Sequence, residues 1–183
     1  MSTATTTLPT GTWNVDAIHS HVGFGVKHLG IATYRGQFPG VEGHLVTENG
    51  TITAIEGTAK IDSLETKDGN LTGHLLTPDF FDAASHPTGT FRSTDITLNG
   101  DALTVRGELT LRGVTKPVEL TGTLEGFGPD GYGNTKLGVE LTGNIDRRDY
   151  GISWNVVMDN GVPTVAERVK LEWNVEAVLG SGS

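Results

Sequence analysis

The chain has 183 residues, no cysteine and a formal net charge of -9 at pH 7. This length is typical of one domain whose core needs neither metals nor disulfides. Without cysteine, iron–sulfur, thiol-redox and cysteine-nucleophile chemistry are excluded, and the acidic balance disfavours nonspecific binding to nucleic acid or anionic lipid surfaces. We predict one domain over residues 12–179, a flexible N-terminal tail at 1–11 and a C-terminal tail at 180–183.

The opening stretch MSTATTTLPTGTW has neither a basic start nor an apolar run. It therefore predicts no signal peptide and no membrane anchor. We expect a cytoplasmic protein without stable membrane insertion and without a nucleic-acid partner. A trimmed chain would instead be compatible with a periplasmic or secreted protein.

Alternating apolar and polar residues, with many threonines and valines, predict an all-β protein of antiparallel strands. The alternation gives about eight strands, at 13–28 with a break near Asp16, 32–47 with a bend at 38–40, 51–61, 88–98, 102–112, 117–126, 133–146 and 167–179. Several of these strands are longer than is usual in a β-sandwich, so we predict a closed barrel. Interior glycines permit the coiling that closure requires, and we expect Gly107, Gly122, Gly138 and Gly143 to leave room along a channel.

The first predicted strand contains the histidine-rich stretch IHSHVGFGVKH at residues 18–28. Residues two apart in a strand share a face, so His19 and His21 lie together, opposite an apolar face that ends in His28. A histidine pair could bind zinc, but a zinc site needs three or four protein ligands, and we expect surface imidazoles and no metal. His28 is expected to be a buried histidine bonded to a carbonyl or carboxylate, or a contact for a ligand's head group.

Residues 63–87 interrupt the strand pattern. Asn70 could cap a short helix that holds Leu71, His74 and Leu75 on one face and ends before Pro78. We predict a helical lid over the barrel. An eight-stranded barrel has an interior just large enough for side chains or one small ligand.

The charged motif DRRDYG follows the seventh predicted strand directly. We expect Arg147 and Asp149 to form a structural clamp that closes one end of the barrel. Alternatively, an arginine could meet a ligand phosphate or hydroxyl through its fork of donors.

Four ordered motifs connect these segments to a known family: WNVDAIHSHVGFGVKHLG at 13–30, TPDFFDAASHPTGTF at 77–91, GELTLRGVTKPV at 107–118 and IDRRDYGI at 145–152. Together they resemble the YceI family of polyisoprenoid-binding proteins over nearly the whole chain. The resemblance implies an extended lipocalin-like antiparallel β-barrel whose apolar interior holds a long isoprenoid or other amphiphilic chain. It also implies a homodimer, and many members of the family are exported to the periplasm.

We therefore expect a protein that sequesters or transports an isoprenoid or acyl-chain lipid, with no catalysis and no cofactor. Arg147 and Asp149 are the candidates for contacting the ligand's head group. The other predicted cavity residues are Val22, Phe24, Val26, His28, Phe38, Leu75, Phe80, Phe81, Phe91, Leu109, Leu111, Leu120, Leu137, Val139, Leu141, Trp154 and Trp173.

Two alternatives use the same barrel. An isoprenoid-modifying enzyme would use His28 as general acid or base, tuned by Arg147 or Asp149, and these groups would have to converge at one point in the cavity. A fully packed barrel would instead serve as a dimeric interaction or stress-associated module.

Overall fold

The computed structural model describes residues 7–181. Its strands are β1 (Gly11–Val15), β2 (His21–His28), β3 (Ala32–Gln37), β4 (Val41–Glu48), β5 (Thr51–Lys60), β6 (Thr88–Asn99), β7 (Ala102–Leu111), β8 (Val114–Pro129), β9 (Thr135–Asp146) and β10 (Val165–Leu179). The helix α1 spans Gly69–Leu75, and short 3-10 turns lie at Ala17–His19, Ile61–Ser63 and Arg147–Tyr150. Among the described residues, no helix combines the length and the apolar composition of a membrane span.

The ten segments form eight continuous antiparallel strands, as the alternation predicts. A 3-10 turn interrupts the first strand between β1 and β2, and a bend at residues 38–40 interrupts the second between β3 and β4. Each of the eight continuous strands pairs with the next along the chain, and β10 pairs with β1 at one end and with β2 at the other. The pairs Trp13 with Leu179 and Val22 with Trp173 close the sheet into a barrel, so the predicted fold is confirmed.

The two ends of the barrel differ because the connections at one end are short. Turns at 49–50, 100–101 and 130–134 form the hairpin end, and the lid end carries residues 29–31, 61–87, 112–113 and 147–164. Asn49 and Gly50 both have positive φ, at 52° and 77°. Tight hairpins of type I′ require this geometry, which Asn-Gly adopts at low cost.

The interior at the hairpin end is packed solid. Trp13, Leu103 and Val105 are fully buried there, and the Trp13 indole donates to the Thr47 hydroxyl at 2.8 Å. Thr47 in turn donates to the Pro9 carbonyl at 2.6 Å. This chain of hydrogen bonds satisfies the buried polar groups, as burial requires. We call this region the closed half.

The described part of the predicted N-terminal tail packs against the closed half. Leu8 belongs to the hydrophobic core, and Gly11 already pairs with Thr47. Residues 1–6 and 182–183, which include the rest of both predicted tails, lie outside the described residues.

Three of the four glycines that we expected to leave room along a channel leave none. The fourth, Gly138, does not face the interior, because its neighbours Leu137 and Val139 take the buried face of β9. A Cβ added to Gly107 would lie 2.5 Å from the Phe91 ring, and one added to Gly143 would lie 2.6 Å from Leu120. Gly122 allows the Glu140 carbonyl to approach so closely that an added Cβ would lie 1.7 Å from it. These glycines admit neighbouring side chains and backbone, which fill the space.

The lid insertion contains the predicted helix with a different cap. The Asp68 carboxylate accepts a hydrogen bond from the Leu71 amide at 3.0 Å, and Asp68 is the N-cap of α1. Asn70 lies within the helix instead, so the assignment of the cap to Asn70 is wrong. A carboxylate is as good a cap as an asparagine, and sequence spacing alone did not separate the two.

Candidate ligand-binding site

The half of the barrel at the lid end encloses a cavity of about 570 Å³. This volume lies within the range of small-molecule binding sites, about 300–1,000 Å³. Its walls come mainly from apolar side chains of the strands and the lid. On β10 the lining includes the regular stretch from Val169 to Val175, and a strand that rises about 3.3 Å per residue covers about 20 Å over these six steps. The fully packed barrel, the second of our two alternatives, is therefore wrong.

Most of the predicted apolar residues border this cavity. Those at the wall are Val22, Phe24, Val26, His28, Phe38, Leu75, Phe80, Phe81, Phe91, Leu109, Leu111, Val139, Leu141, Trp154 and Trp173. Leu120 and Leu137 do not border it, because both are buried in the closed half. Alternation correctly gave their inward orientation but carried no information on their depth along the barrel axis.

Aromatic rings join the lid to the strands around the cavity. Phe81 of the lid lies 5.4 Å from Phe38 and 5.9 Å from Phe24, measured between ring centroids. Phe80 lies 5.3 Å from Trp154. Such spacings are typical of favourable aromatic pairs, so the lid is held over the cavity by the same residues that line it.

The cavity reaches the surface beside the turn between β2 and β3. Lys27, His28, Ala32 and Thr33 border it and are all exposed. We place the mouth of the cavity here. His28 is therefore not the buried histidine that we predicted, because the apolar face of β2 ends at the rim of the barrel and not inside it.

Arg147 is a buried cation at the lid end, 4% exposed. Its guanidinium donates to the carbonyls of Ala166 at 2.9 Å, Ile152 at 2.8 Å, Trp154 at 2.9 Å and Val165 at 3.3 Å. It thereby ties the segment after β9 to the start of β10. Burial lowers the pKa of Arg147, because a low-dielectric surrounding disfavours the charged form.

The predicted clamp between Arg147 and Asp149 is absent among residues 7–181. Asp149 is exposed and does not border the cavity, so it is not a head-group candidate. Backbone carbonyls, and not the Asp149 carboxylate, contact the Arg147 guanidinium. The 3-10 turn directs the Arg147 and Asp149 side chains to different surroundings.

Asp146 stabilises this turn from its N-terminal end. Its carboxylate accepts from the Arg148 guanidinium at 2.6 Å and from the Arg148 amide at 2.9 Å. These hydrogen bonds lower the pKa of Asp146 to about 2. Asp146 therefore fixes the turn that carries Arg147 and Tyr150.

Tyr150 is a cavity residue that we did not single out from the sequence. It is 1% exposed and borders the cavity, and its hydroxyl has no hydrogen-bond partner within the described part of the chain. Burial raises the pKa of Tyr150 to about 12. No hydrophobic period marks Tyr150, because it lies in a 3-10 turn. Its place in the DRRDYG motif is the signal that the sequence offers for it.

The two histidines that we predicted on one strand face do not share it, because His19 ends the 3-10 turn after β1 and His21 begins β2. His21 bonds to Gln37, whereas His19 Nδ1 lies 2.8 Å from Asp16 and 3.7 Å from Glu176. Asp16, His19 and Glu176 offer ligand atoms within 4.8 Å of one another. However, the Lys136 ammonium lies 2.6 Å from Glu176 and 3.5 Å from Asp16, and it already supplies positive charge to these carboxylates.

Comparison with known proteins agrees with this architecture. The family model described as YceI-like domain matches residues 13–177. A UPF0312 protein from Pseudomonas aeruginosa strain LESB58 is 33% identical over 162 residues, which cover 87% of this chain and 82% of that protein. A UPF0312 protein from Yersinia pestis strain Pestoides F is 34% identical over 162 residues, with 87% and 81% covered. The chain belongs to the YceI-like family.

Solved structures share the barrel of this YceI-like chain. The Campylobacter jejuni YceI protein is 25% identical, with a TM-score of 0.72 over 85% of this chain and 90% of that one. Burkholderia cenocepacia BcnA has a TM-score of 0.77 at 21% identity, covering 89% and 99%. A domain from Saccharophagus degradans described as polyisoprenoid binding has a TM-score of 0.71 at 14% identity, covering 94% and 100%. The last two similarities concern the fold.

Proposed function

We propose that this protein binds a long isoprenoid or a similar amphiphilic lipid in the cavity at the lid end, without performing chemistry on it. The observation that carries the proposal is an apolar cavity of about 570 Å³ in a barrel whose other half is packed solid. If the barrel held no space for a guest, the lid would have nothing to cover. The polyisoprenoid binding of the Saccharophagus degradans domain supports the same class of ligand.

The energetics of such a site need no strong polar contact. Each methylene removed from water contributes about 0.8 kcal/mol, so about fifteen methylenes contribute about 12 kcal/mol. Association costs about 4 kcal/mol or more in lost freedom. The difference of about 8 kcal/mol corresponds to roughly micromolar affinity, and selectivity would come from the length and width of the cavity.

Catalysis is not part of the proposal because the candidate groups do not converge. His28 lies at the mouth, Asp149 is exposed away from the cavity, and Arg147 donates to backbone carbonyls. Among residues 7–181, no hydrogen bond or ion pair joins any two of the three side chains. A general acid or base needs hydrogen-bond reach to its partner, and this arrangement does not supply it.

Ligand recovery and ligand uptake test the proposal together. The purified protein is examined by native mass spectrometry and by solvent extraction, and the delipidated protein is titrated with an isoprenoid quinone and a prenyl phosphate. We expect a co-purifying amphiphile or saturable uptake with one molecule per barrel. Recovery of no amphiphile, together with no uptake of either probe, would refute the proposal.

A further inference from the structure

We infer that the mouth of the cavity docks on the surface of a zwitterionic lipid bilayer, where the guest is loaded or released. The inference rests on the proposed lipid binding and adds the surface with which the guest is exchanged. Its basis is a group of exposed apolar side chains beside the mouth, at Ile31, Val156, Val157 and Met158. We call this group the mouth patch.

The mouth patch stands out because large apolar side chains are rarely exposed elsewhere on the barrel. Six of them are exposed among residues 7–181, and four of the six belong to the patch. The other two lie separately, Ile18 in the turn between β1 and β2 and Tyr132 in the turn between β8 and β9. Isolated apolar residues are ordinary on a protein surface, whereas a cluster of them marks an interaction site.

Backbone hydrogen bonds connect both parts of the mouth patch to the mouth. Residues 156–164 form a hairpin in which the Thr164 amide donates to the Val156 carbonyl at 2.9 Å. Thr164 borders the cavity, and its carbonyl accepts from the Leu29 amide at 2.9 Å. Leu29 begins the turn that contains Ile31 and ends at the mouth. The hairpin and the turn therefore lie side by side at the opening.

The charged groups at the mouth are compatible with a zwitterionic surface. Lys27 and His28 are exposed there, and neither forms an ion pair with any of residues 7–181, so the Lys27 ammonium is free to contact a lipid phosphate. The turn of the hairpin carries the exposed carboxylate of Asp159, and the whole chain has a net charge of -9. Choline head groups offer a cation beside each phosphate, whereas an anionic surface would repel the chain as a whole.

The hydrocarbon chain of the guest favours exchange at a surface over passage through water. A guest that crosses water exposes its chain, and each exposed methylene lowers the rate of passage about fourfold. When the mouth lies against a bilayer, the chain passes from one apolar environment to another without this exposure. The mouth patch provides the attachment, because apolar side chains that enter the head-group region leave water.

Vesicle binding of the guest-free protein tests the docking surface without depending on guest uptake. The patch variant Ile31→Ser/Val157→Ser removes two apolar side chains that do not border the cavity. The matched control is Ile18→Ser/Tyr132→Ser, which removes the two exposed apolar side chains outside the patch.

The readout is flotation with phosphatidylcholine vesicles. We expect the patch variant to bind about tenfold more weakly than the wild type, or weaker still, and the control to bind as the wild type does. Equal binding by the wild type and the patch variant, or binding by neither, would overturn the inference.

A transfer assay tests whether docking serves guest exchange. Each protein is loaded with a fluorescent fatty acid and mixed with the same vesicles. For the wild type, we expect a transfer rate that rises with vesicle concentration. The patch variant should transfer the fatty acid about tenfold more slowly, although both proteins bind it in free solution with equal affinity. A rate independent of vesicle concentration would overturn the inference and leave lipid binding intact.

Two further outcomes separate the proposals from each other and from self-association. Failure of the wild type to take up the fatty acid would contradict the proposed lipid binding, and flotation would then decide the docking by itself. Sedimentation measures the oligomeric state. A wild-type dimer that dissociates in the patch variant would show that a second copy of the chain covers the patch, and would overturn the inference.

Discussion

Filling the cavity from its wall should shorten the guest that the barrel accepts. Val175 borders the cavity on β10, and Val175→Phe adds four carbon atoms that project into the empty space. At about 30 Å³ per water-sized group, the cavity of about 570 Å³ holds about nineteen methylene-sized groups. About fifteen places then remain, so a guest of eighteen carbons loses about three buried groups at about 0.8 kcal/mol each, and its Kd rises about fiftyfold.

Chain length provides the discriminating comparison. A twelve-carbon fatty acid leaves room for the new ring, so its affinity for Val175→Phe should change less than threefold, and the Tm of the empty variant should be unchanged or higher. Displacement of a fluorescent fatty acid by the twelve-carbon and eighteen-carbon acids gives both constants. Val157→Phe is the matched control, because Val157 is 63% exposed outside the cavity. Equal affinity of Val175→Phe and wild type for the eighteen-carbon acid would refute the assignment of the cavity as the binding site.

Three further substitutions test the parts of the barrel that position the cavity. Arg147→Met leaves four carbonyls unpaired and should lower the free energy of unfolding by about 3 kcal/mol or more, measured by urea titration; an unchanged midpoint would contradict this. Trp13→Phe removes the hydrogen bond to Thr47 and should cost about 1–3 kcal/mol without changing lipid affinity, because the closed half takes no part in binding. Asp146, with a folded-state pKa of about 2 against about 3.9 when unfolded, stabilises the fold above about pH 4 and loses this contribution as the pH falls toward 2. Asp146→Asn should therefore be less stable than wild type at pH 7 and equally stable near pH 2, and a difference independent of pH would contradict the assignment.

The sequence predicted the strands well because each carries its own signal. Alternation along β7, for example, is a local property that already assigns Leu103, Val105 and Leu109 to one face. Their different roles depend on depth along the barrel: Leu109 borders the cavity, while Leu103 and Val105 fill the closed half. Depth follows from strand register and tilt, which the period of two does not encode.

Polar groups near the cavity were predicted less well because their partners are distant in sequence. The motif around Arg147 suggested a charge partner two residues away, whereas the structure supplies carbonyls from residues 152–166. His28 followed an apolar face and looked buried, yet it is the last residue of β2 and lies exposed at the rim. The orphan hydroxyl of Tyr150 could not be recognised without knowing every neighbour in three dimensions.

The sequence by itself determined the class of fold and the positions of the strands, because hydrophobic period and turn residues act over a few positions, and its four ordered motifs indicated the family. Only the tertiary structure decided that half of the barrel is hollow and half is filled. That division depends on how Trp13, Phe91 and Leu120 pack across strands that are far apart in the chain, and packing density is a property of the closed barrel and not of any one strand.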